Sequence, residues 1–585
     1  METIYQTLTA TPEVLVTYNP KSKETLNYER VTHDHNGTLI DDNLIAANAN
    51  NIYIKSNGYY YRAVFHDNVI NLNNFIDRND EDALNITNLL KYVIKLSYNL
   101  SAVQGNGFRE PLKIKIPTGR FIIDNTIIDT SSNVVGGKFV FEGEGHQNTR
   151  ISYEPTNSEN FLFENIDIFG FTTFSNISFI SNGEGKFMKA QVETSGNAQS
   201  IIFSDCLFEK FKTILDVSGN IMMSEVTFRN CKIFGNESEA VLFKLNNPQA
   251  VNWRFYSTEI ESITGTVFDF YAGSTISYFQ GSIIGNDNPN TVIFKVNNAA
   301  NPDLFGAGNS PNLQMYGVRF ELRGDTKLIK IENSDVDFSA KFDNCGMGGF
   351  NLNSSTYAVD LKGKGNFIFD NCTNYGNFKF KHEINNANSY LNPTKIKFIN
   401  TCPDLNLIDN GLCNEVVNTG GYPIYIFENC GLNSYYRPFG RDTFFSNNDF
   451  YKISKKTISK GYRNDGTEVT GMVQDRIYAD LGQNNDEYKH FVTFNLPNVP
   501  IHSIKIIFDK AWQGGFGGLN YNVKVYNTDN SVEIASGVLN TSNKLELTDN
   551  RGYFVSNNDK INIEVQSIGA WSQILGVKTF LVVEY

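Results

Sequence analysis

One short pattern recurs between residues 171 and 430: an apolar-x-Phe core, a polar turn often holding Asn, then a small residue, often Cys. Its copies read TTFSNISF, IIFSDCLF, VTFRNCKIF, WRFYSTEI, SYFQGSII, LQMYGVRF, AKFDNCGM, FIFDNCTN, IKFINTC and YIFENCGL. The anchors are Phe174, Phe203, Phe228, Phe255, Phe279, Met315, Phe342, Phe369, Phe398 and Phe427, with successive spacings of 29, 25, 27, 24, 36, 27, 27, 29 and 29. A repeat of this period marks stacked units that cannot bury their apolar faces alone. No unit holds a helical stretch long enough for a leucine-rich or helical solenoid. Each holds two or three short β runs between Gly, Asn and Asp turns. The pattern predicts an all-β chain whose centre is a right-handed parallel β-helix.

Strand alternation assigns faces. With the anchor inward, the residues one and three before it and the one after it point out. In the second strand, the residues four and six after the anchor also point out. The inward residue three after the anchor is Ile177, Cys206, Cys231, Thr258, Ser282, Val318, Cys345, Cys372 or Cys430. This predicts a buried column of small side chains and free thiols, because no recurrent partner accompanies the cysteines. Seven cysteines give no disulfide framework. A further run in many coils (TILDVS, AVLFKL, TVFDFY, TVIFKV, KLIKIE, YAVDLK) supplies a second inner wall. The spacing of 36 marks an insertion over 296–311, a loop placed to wall a groove.

The flanks differ. Residues 1–70 lack the repeat and read as a small β-rich module, with His33 and His35 around Asp34 in a solvated loop. Residues 79–97 are the clearest helix, with an apolar stripe of Ile86, Leu89, Leu90, Val93 and Ile94, capped by Asn79 and favoured by Glu81 and Asp82. A helix here would cover the first coil. GEGHQNT, at 143–149, has no Walker lysine and no long helix after it, so it reads as a tight turn. Residues 71–440 form the cap and β-helix. Residues 441–585 carry longer alternating strands, expected to form a β-sandwich. Arg437 and Arg441 fall in the connector, and Trp512 and Trp571 in loop-like stretches suited to chain contacts or sugar contacts.

The net charge of -13 disfavours a nucleic-acid surface. No run of 18 apolar residues occurs and no basic-then-apolar leader opens the chain, so no membrane insertion and no conventional export signal are expected.

A cap helix, PTGRF…GEGHQNT and then stacked Phe-x-Asn-Cys coils together resemble the pectate-lyase-like β-helix family over about 80–440. With the N-terminal module and the C-terminal strands, the domain order looks like that of a bacteriophage tailspike or capsule depolymerase. That resemblance implies a homotrimer on the virion, attached through its N-terminus to another tail or adaptor protein. It also implies that a bacterial capsular or other surface polysaccharide is the ligand. RNDED stands where the family commonly has Gly-Asp-Gly before the helix. The Asp-rich calcium cluster of true pectate lyases, with its Lys and Arg companions, is missing. No metal and no cofactor are therefore expected.

Glycoside hydrolysis needs a proton donor and a base or nucleophile, commonly two carboxylates. Outward acids near arginines and aromatics are concentrated on three coils. The Phe255 coil offers Arg254, Tyr256, Glu259 and Glu261, and the next offers Tyr278. The following coil offers Tyr316, Arg319, Glu321, Arg323 and Asp325. Glu259 is expected to align with Arg319, and Glu261 with Glu321, two coils apart. The expected catalytic residues are Glu259, Glu261 and Glu321. Arg254, Tyr256, Tyr278, Tyr316, Arg319, Arg323 and Asp325 would bind substrate, and Trp253 would be core. Glu225, Arg229, Glu237 and Glu239 form a second candidate patch. The expected activity is endo-acting hydrolysis of surface polysaccharide. The alternatives are a lyase acting by β-elimination and a non-catalytic glycan-binding adhesin or structural spike.

Overall fold

The computed structural model describes residues 2–3 and 12–382 except for short stretches, the longest being 103–111 and 128–138. Thereafter it describes chiefly strands between 395 and 584. The chain divides into two units, residues 1–363 with 372–381, and residues 364–371 with 382–585. In the first unit, strands Val14–Asn19, Glu24–Val31, Tyr59–Ala63 and Tyr53–Ser56 pair antiparallel in a small sheet. The helix runs over Thr87–Ala102, starting later than the sequence suggests. The Asn85 side chain accepts the Thr87 N–H at 2.9 Å and takes the capping role. Its apolar stripe is buried as expected, with Ile86, Leu89, Leu90, Val93 and Ile94 all at or below 5% exposure. Asn79, Glu81 and Asp82 lie outside the described residues.

From Leu112 onward the first unit is a parallel β-helix. One wall is built from pairs of short strands, such as Thr173–Ser175 with Ser178–Ser181, then Ile202–Ser204 with Leu207–Glu209, and Thr227–Arg229 with Lys232–Phe234. Each pairs in parallel with the equivalent strand of the next coil. The second wall runs from Phe161–Glu164 through Lys186–Val192, Thr213–Gly219, Ala240–Asn246, Gly265–Phe270, Val292–Val296 and Lys327–Ile331 to Val359–Leu361, also parallel. Among the described residues no helix is long and apolar enough to cross a membrane.

The repeat has a conformational reason. Two residues after each inward anchor the backbone turns into the left-handed region, at Asn176 (φ 60), Asp205 (φ 55), Asn230 (φ 52) and Asn344 (φ 53). Asn and Asp tolerate that region better than other side chains. The next residue points in, and where it is Cys or Thr its side chain donates to a carbonyl of the preceding coil. Cys206 Sγ reaches the Phe174 carbonyl at 3.5 Å, Cys231 the Phe203 carbonyl at 3.5 Å, and Thr258 Oγ1 the Phe228 carbonyl at 3.4 Å. Cys206, Cys231, Cys345 and Cys372 are buried free thiols, as the sequence predicts. The turn at 143–149 is likewise local: Asn148 N–H donates to the Gly145 carbonyl at 2.9 Å.

Parallel register puts like on like. Phe141, Phe174, Phe203, Phe228 and Phe255 stack at centroid separations of 4.8, 5.1, 4.7 and 4.9 Å, close to the ~4.8 Å between paired strands. From the second wall Phe243 and Phe268 stack at 4.9 Å. Phe243 meets Phe228 and Phe255 edge-on at 5.6 Å each. Trp253 is fully buried and its indole N–H donates to the Met223 carbonyl at 2.9 Å, which makes it core.

One anchor differs from the sequence reading. Tyr278, not Phe279, pairs with Phe255 and stacks on it at 5.2 Å. The inward residue after its turn is then Gly281 rather than Ser282. Gly281 pairs with Thr258 and has φ 96, and a Cβ there would meet the Thr258 carbonyl oxygen at 2.1 Å. The Tyr278 hydroxyl donates to the Thr258 carbonyl.

In the second unit, Asn366–Asp370, Lys395–Ile399 and Ile424–Glu428 pair in parallel with Phe369, Phe398 and Phe427 in register. Beyond them the pairing turns antiparallel. Lys489–Asn495, Lys560–Ile568, Asn520–Asn527 and Val532–Asn540 form one sheet, and Leu545–Asp549, Ser503–Phe508 and Thr579–Glu584 another.

Phe228→Ala removes a ring stacked on both sides. We expect it to cost about 3–5 kcal/mol, read as a lowered midpoint for the β-helix in chemical denaturation. A loss below about 1 kcal/mol would show that the ladder is not what holds adjacent coils together.

Candidate functional site

Three consecutive coils break the corner rule. At the turn position that is Asn or Asp in the coils before them, Ser257 (φ 46), Gln280 (φ 61) and Gly317 (φ 63) stand instead. Ser and Gln gain nothing from a left-handed backbone. Departures from an otherwise consistent local rule concentrate where a chain does something other than fold. The same coils carry large aromatics in the outward column, where the earlier coils carry Glu142, Ser175 and Ser204.

Those aromatics are Tyr256, Phe279 and Tyr316, in register on adjacent strands. Their rings stack at 5.0 Å and 5.2 Å with planes within 10° of each other. All three are half-buried and form an apolar ridge on the outside of the helix. The Tyr316 hydroxyl donates to Gln314 Oε1 at 3.1 Å. An apolar strip rimmed by polar groups marks a contact surface. Phe279 is the member that sequence reasoning missed. Tyr278, expected to touch substrate, is fully buried, and its burial also pushes the phenol far above its ordinary range. It is a core residue.

The second strand of each coil brings the acids to the same wall. Lys232, Glu259, Ser282 and Arg319 form one column, and Phe234, Glu261, Ile284 and Glu321 the next. Glu259 therefore aligns with Arg319, and Glu261 with Glu321, two coils apart. Glu321 is held from both sides, by Arg319 at 2.9 Å and Arg323 at 3.0 Å, one guanidinium on each oxygen. Glu259 faces Lys232 at 3.6 Å. Glu261 lies between Phe234 and Ile284 in its column and has no ion-pair or hydrogen-bond partner for its carboxylate among the described residues. Asp325 is half-buried and accepts from the Thr356 hydroxyl, which makes it a turn residue at the edge of this face.

The second wall carries a charged column that the sequence did not single out as a site. It runs Lys189, Asp216, Lys244, Asp269, Lys295, Lys330, Asp360. Its cations are answered: Lys244 by Asp216 of the column at 3.4 Å, and Lys295 and Lys330 by the neighbouring Glu332 at 3.5 Å and 2.5 Å. Asp269 is 4% exposed, and the Asn297 amide lies 3.3 Å from each of its oxygens. Burial raises its pKa above the usual carboxylate value, against the opposing pull of Lys295 and Asn297. This column is scaffold, because its charges answer each other along the stack. The insertion after Val296 begins beside it. A short 3-10 turn at Pro302–Leu304 leads to Phe305, and the Leu304 carbonyl accepts the Gly273 N–H at 3.0 Å. Residues 306–310 lie outside the described residues, as do Arg437, Arg441, Glu237 and Trp571. Among the described residues no group of three or more His, Cys, Asp or Glu is placed to hold a metal ion.

No protein-family model matches the sequence, and no curated protein does. Solved structures with a related course of the chain include the tailspike protein gp49 of Acinetobacter baumannii bacteriophage Fri1, a capsular polysaccharide depolymerase. It is 10% identical, with a TM-score of 0.44 over 100% of this chain and 99% of that one. The enzymatically active domain of bacteriophage CBA120 tailspike protein 2 is 12% identical, with a TM-score of 0.42 over 100% of this chain and 92% of that one. The phiAB6 tailspike, solved with three-repeated oligosaccharides of Acinetobacter baumannii surface polysaccharide, is 11% identical, with a TM-score of 0.32 over 96% and 99%. Likeness at this level transfers no residue.

Two outcomes follow from the geometry. Gln280→Asn places a better-suited side chain in a left-handed turn and should raise stability by a few tenths to about 1 kcal/mol in equilibrium unfolding. No gain would mean that the Gln280 backbone carries no strain. Asp269 holds a proton more readily folded than unfolded. Its contribution therefore falls as pH rises above 3.8, and its penalty is complete above the raised folded value. Asp269→Asn should melt higher than the parent at neutral pH, with the difference shrinking as pH falls towards 3.8. A difference constant with pH would exclude Asp269 titration as its source.

Proposed function

We propose that the outer face of the coils anchored at Phe255, Tyr278 and Met315 binds a polysaccharide and cleaves it within the chain by glycoside hydrolysis. The observation that carries this reading is the ridge of Tyr256, Phe279 and Tyr316 running beside an unpartnered carboxylate, Glu261. Aromatic rings held on a rigid sheet offer apolar contact to the C–H faces of sugars, and their hydroxyls offer hydrogen bonds at the edges. Ridge and acids share one wall, so a chain lying against the rings passes the carboxylates. In the coil-by-coil stack a polymer meets the same kind of surface at each step, which suits an internal cut.

Glu261 serves as the proton donor to the departing glycosidic oxygen. Its column neighbours Phe234 and Ile284 are apolar, and among the described residues no cation pairs with its oxygens. Glu259 stands two residues earlier on the same face, about 6.6 Å away along the strand. From that backbone spacing the two side chains can set their carboxyls ~6.5–9.5 Å apart with a water between them, as in inverting hydrolases. Glu259 takes the proton from that water. Glu321 holds Arg319 and Arg323 in place, and those guanidiniums neutralise charge near the leaving group. The tailspike-like domain order gives the setting of this reading. A homotrimer would sit on a phage tail, joined to it through the N-terminal module, and act on a bacterial surface polysaccharide.

Incubation with an array of purified bacterial capsular polysaccharides should shorten at least one of them, releasing oligosaccharides with new reducing ends. Unsaturated ends, detected by ultraviolet absorbance, would mean β-elimination and would overturn the two-carboxylate roles. Saturable binding without shortening would make the protein an adhesin. Glu261→Gln should lower kcat at least 100-fold with KM and melting unchanged, and Phe279→Ala should raise KM. Normal turnover by Glu261→Gln would remove it from the chemistry.

A further inference from the structure

Among the cations named on the ridge face, two have no counter-charge among the described residues. Lys232 faces Glu259, Arg319 and Arg323 hold Glu321, and Lys341 reaches Asp343 at 2.9 Å. Arg229 and Arg254 are exposed, and neither has an ion-pair partner among the described residues. Their placement is defined by register. Arg229 is the next member of the aromatic column, directly opposite Tyr256. Arg254 is two residues before Tyr256 on the same strand, hence on the same face, and pairs with Thr227 on one side and Ser277 on the other. The two guanidiniums stand on adjacent strands with α-carbons about 8 Å apart, at one end of the ridge.

Two like charges side by side on neighbouring strands repel each other. This chain has 63 acidic residues against 50 basic ones, so carboxylates to pair with them are plentiful. Every other cation named on the face has one. The second wall shows what the same architecture does when charges serve the scaffold: the sign alternates from Lys189 through Asp216, Lys244 and Asp269 to Lys295, and where two cations adjoin, at Lys295 and Lys330, Glu332 answers both. An unanswered pair beside an apolar ridge is an arrangement whose counter-charge comes from outside. Guanidinium is the side chain best matched to a planar carboxylate, which it binds through two parallel hydrogen bonds.

We infer that the polysaccharide bound on this face is anionic, with a sugar carboxylate held between Arg229 and Arg254 while the neighbouring residues of the polymer lie on Tyr256, Phe279 and Tyr316. This rests on the polysaccharide reading above and narrows it to acidic glycans. The arginines set register. A carboxylate recurring once per repeat unit stops the polymer at one phase along the ridge, and so fixes which glycosidic bond faces Glu261. Arg229 and Arg254 are substrate-positioning residues in this scheme and take no part in proton transfer.

The test uses the full chain and an array of acidic and neutral capsular polysaccharides, with each acidic polymer also presented after chemical reduction of its carboxyl groups to alcohols. Binding and cleavage should be confined to acidic members, fall at least tenfold on carboxyl reduction, and weaken with salt. Arg229→Gln and Arg254→Gln should each raise KM about tenfold or more with kcat changed far less. Arg254→Lys should recover part of the loss, as a point charge without the fork. Binding to neutral polymers, or acidic binding that survives both carboxyl reduction and the double Gln variant, would overturn the anionic assignment and leave the polysaccharide reading standing. Absence of binding to every member would remove both. Sedimentation of the double variant gives a further outcome. A change in oligomeric state would show that the arginines face a second copy of the chain, and that too would overturn the inference.

Discussion

Parallel register is the constraint on which the rest of the structure depends. Each coil offers its backbone to the next at one spacing, so every side chain meets its own equivalent above and below. Inside, this places phenyl on phenyl at the distance where aromatic rings pack well. At the corner it places a thiol or hydroxyl against a carbonyl of the preceding coil. Outside, it turns three separate residues of the sequence into one ridge. The anchor phenylalanine, the left-handed asparagine and the small donor after it are one device, repeated because each coil must make the same join.

Much of this was legible in the chain. The period, the inward anchors, the thiol column and the alignment of Glu261 with Glu321 follow from spacing and alternation alone. The error at Tyr278 and Phe279 shows where such reasoning stops. Aligning SYFQGSII on its phenylalanine is the natural choice, because the other anchors are mostly Phe. A slip of one residue exchanges faces, so it placed a core tyrosine outside and hid an outward phenylalanine. The information that decides between them lies three residues on. Gly281 leaves the corner without a side chain, and the Tyr278 hydroxyl reaches the Thr258 carbonyl there. Spacing and alternation carry no sign of that fit, which appears only once the coils are stacked.

The site was legible in part, for a different reason. Outward position can be read from parity, but whether a charge is spent cannot. Glu321 and Glu261 look alike in sequence, yet among the described residues one holds two guanidiniums and the other none. Arg229 fell into a separate patch when coils were considered one at a time. Only the register shows that it continues the column of Tyr256. The helix start was misjudged more simply, since the helix begins at Thr87 with Asn85 as its cap and the reading had placed the cap at Asn79.

The alternation of inward and outward side chains has a consequence for how such a protein changes over generations. The interior answers to the neighbouring coil, and the exterior answers to whatever lies in solution, with the backbone between them as a partition. Outward letters can be rewritten singly, and the lattice that presents them does not register the edit. A lineage built this way can drift from one recognised surface to another by ordinary point mutation, while its folding instructions are inherited unaltered.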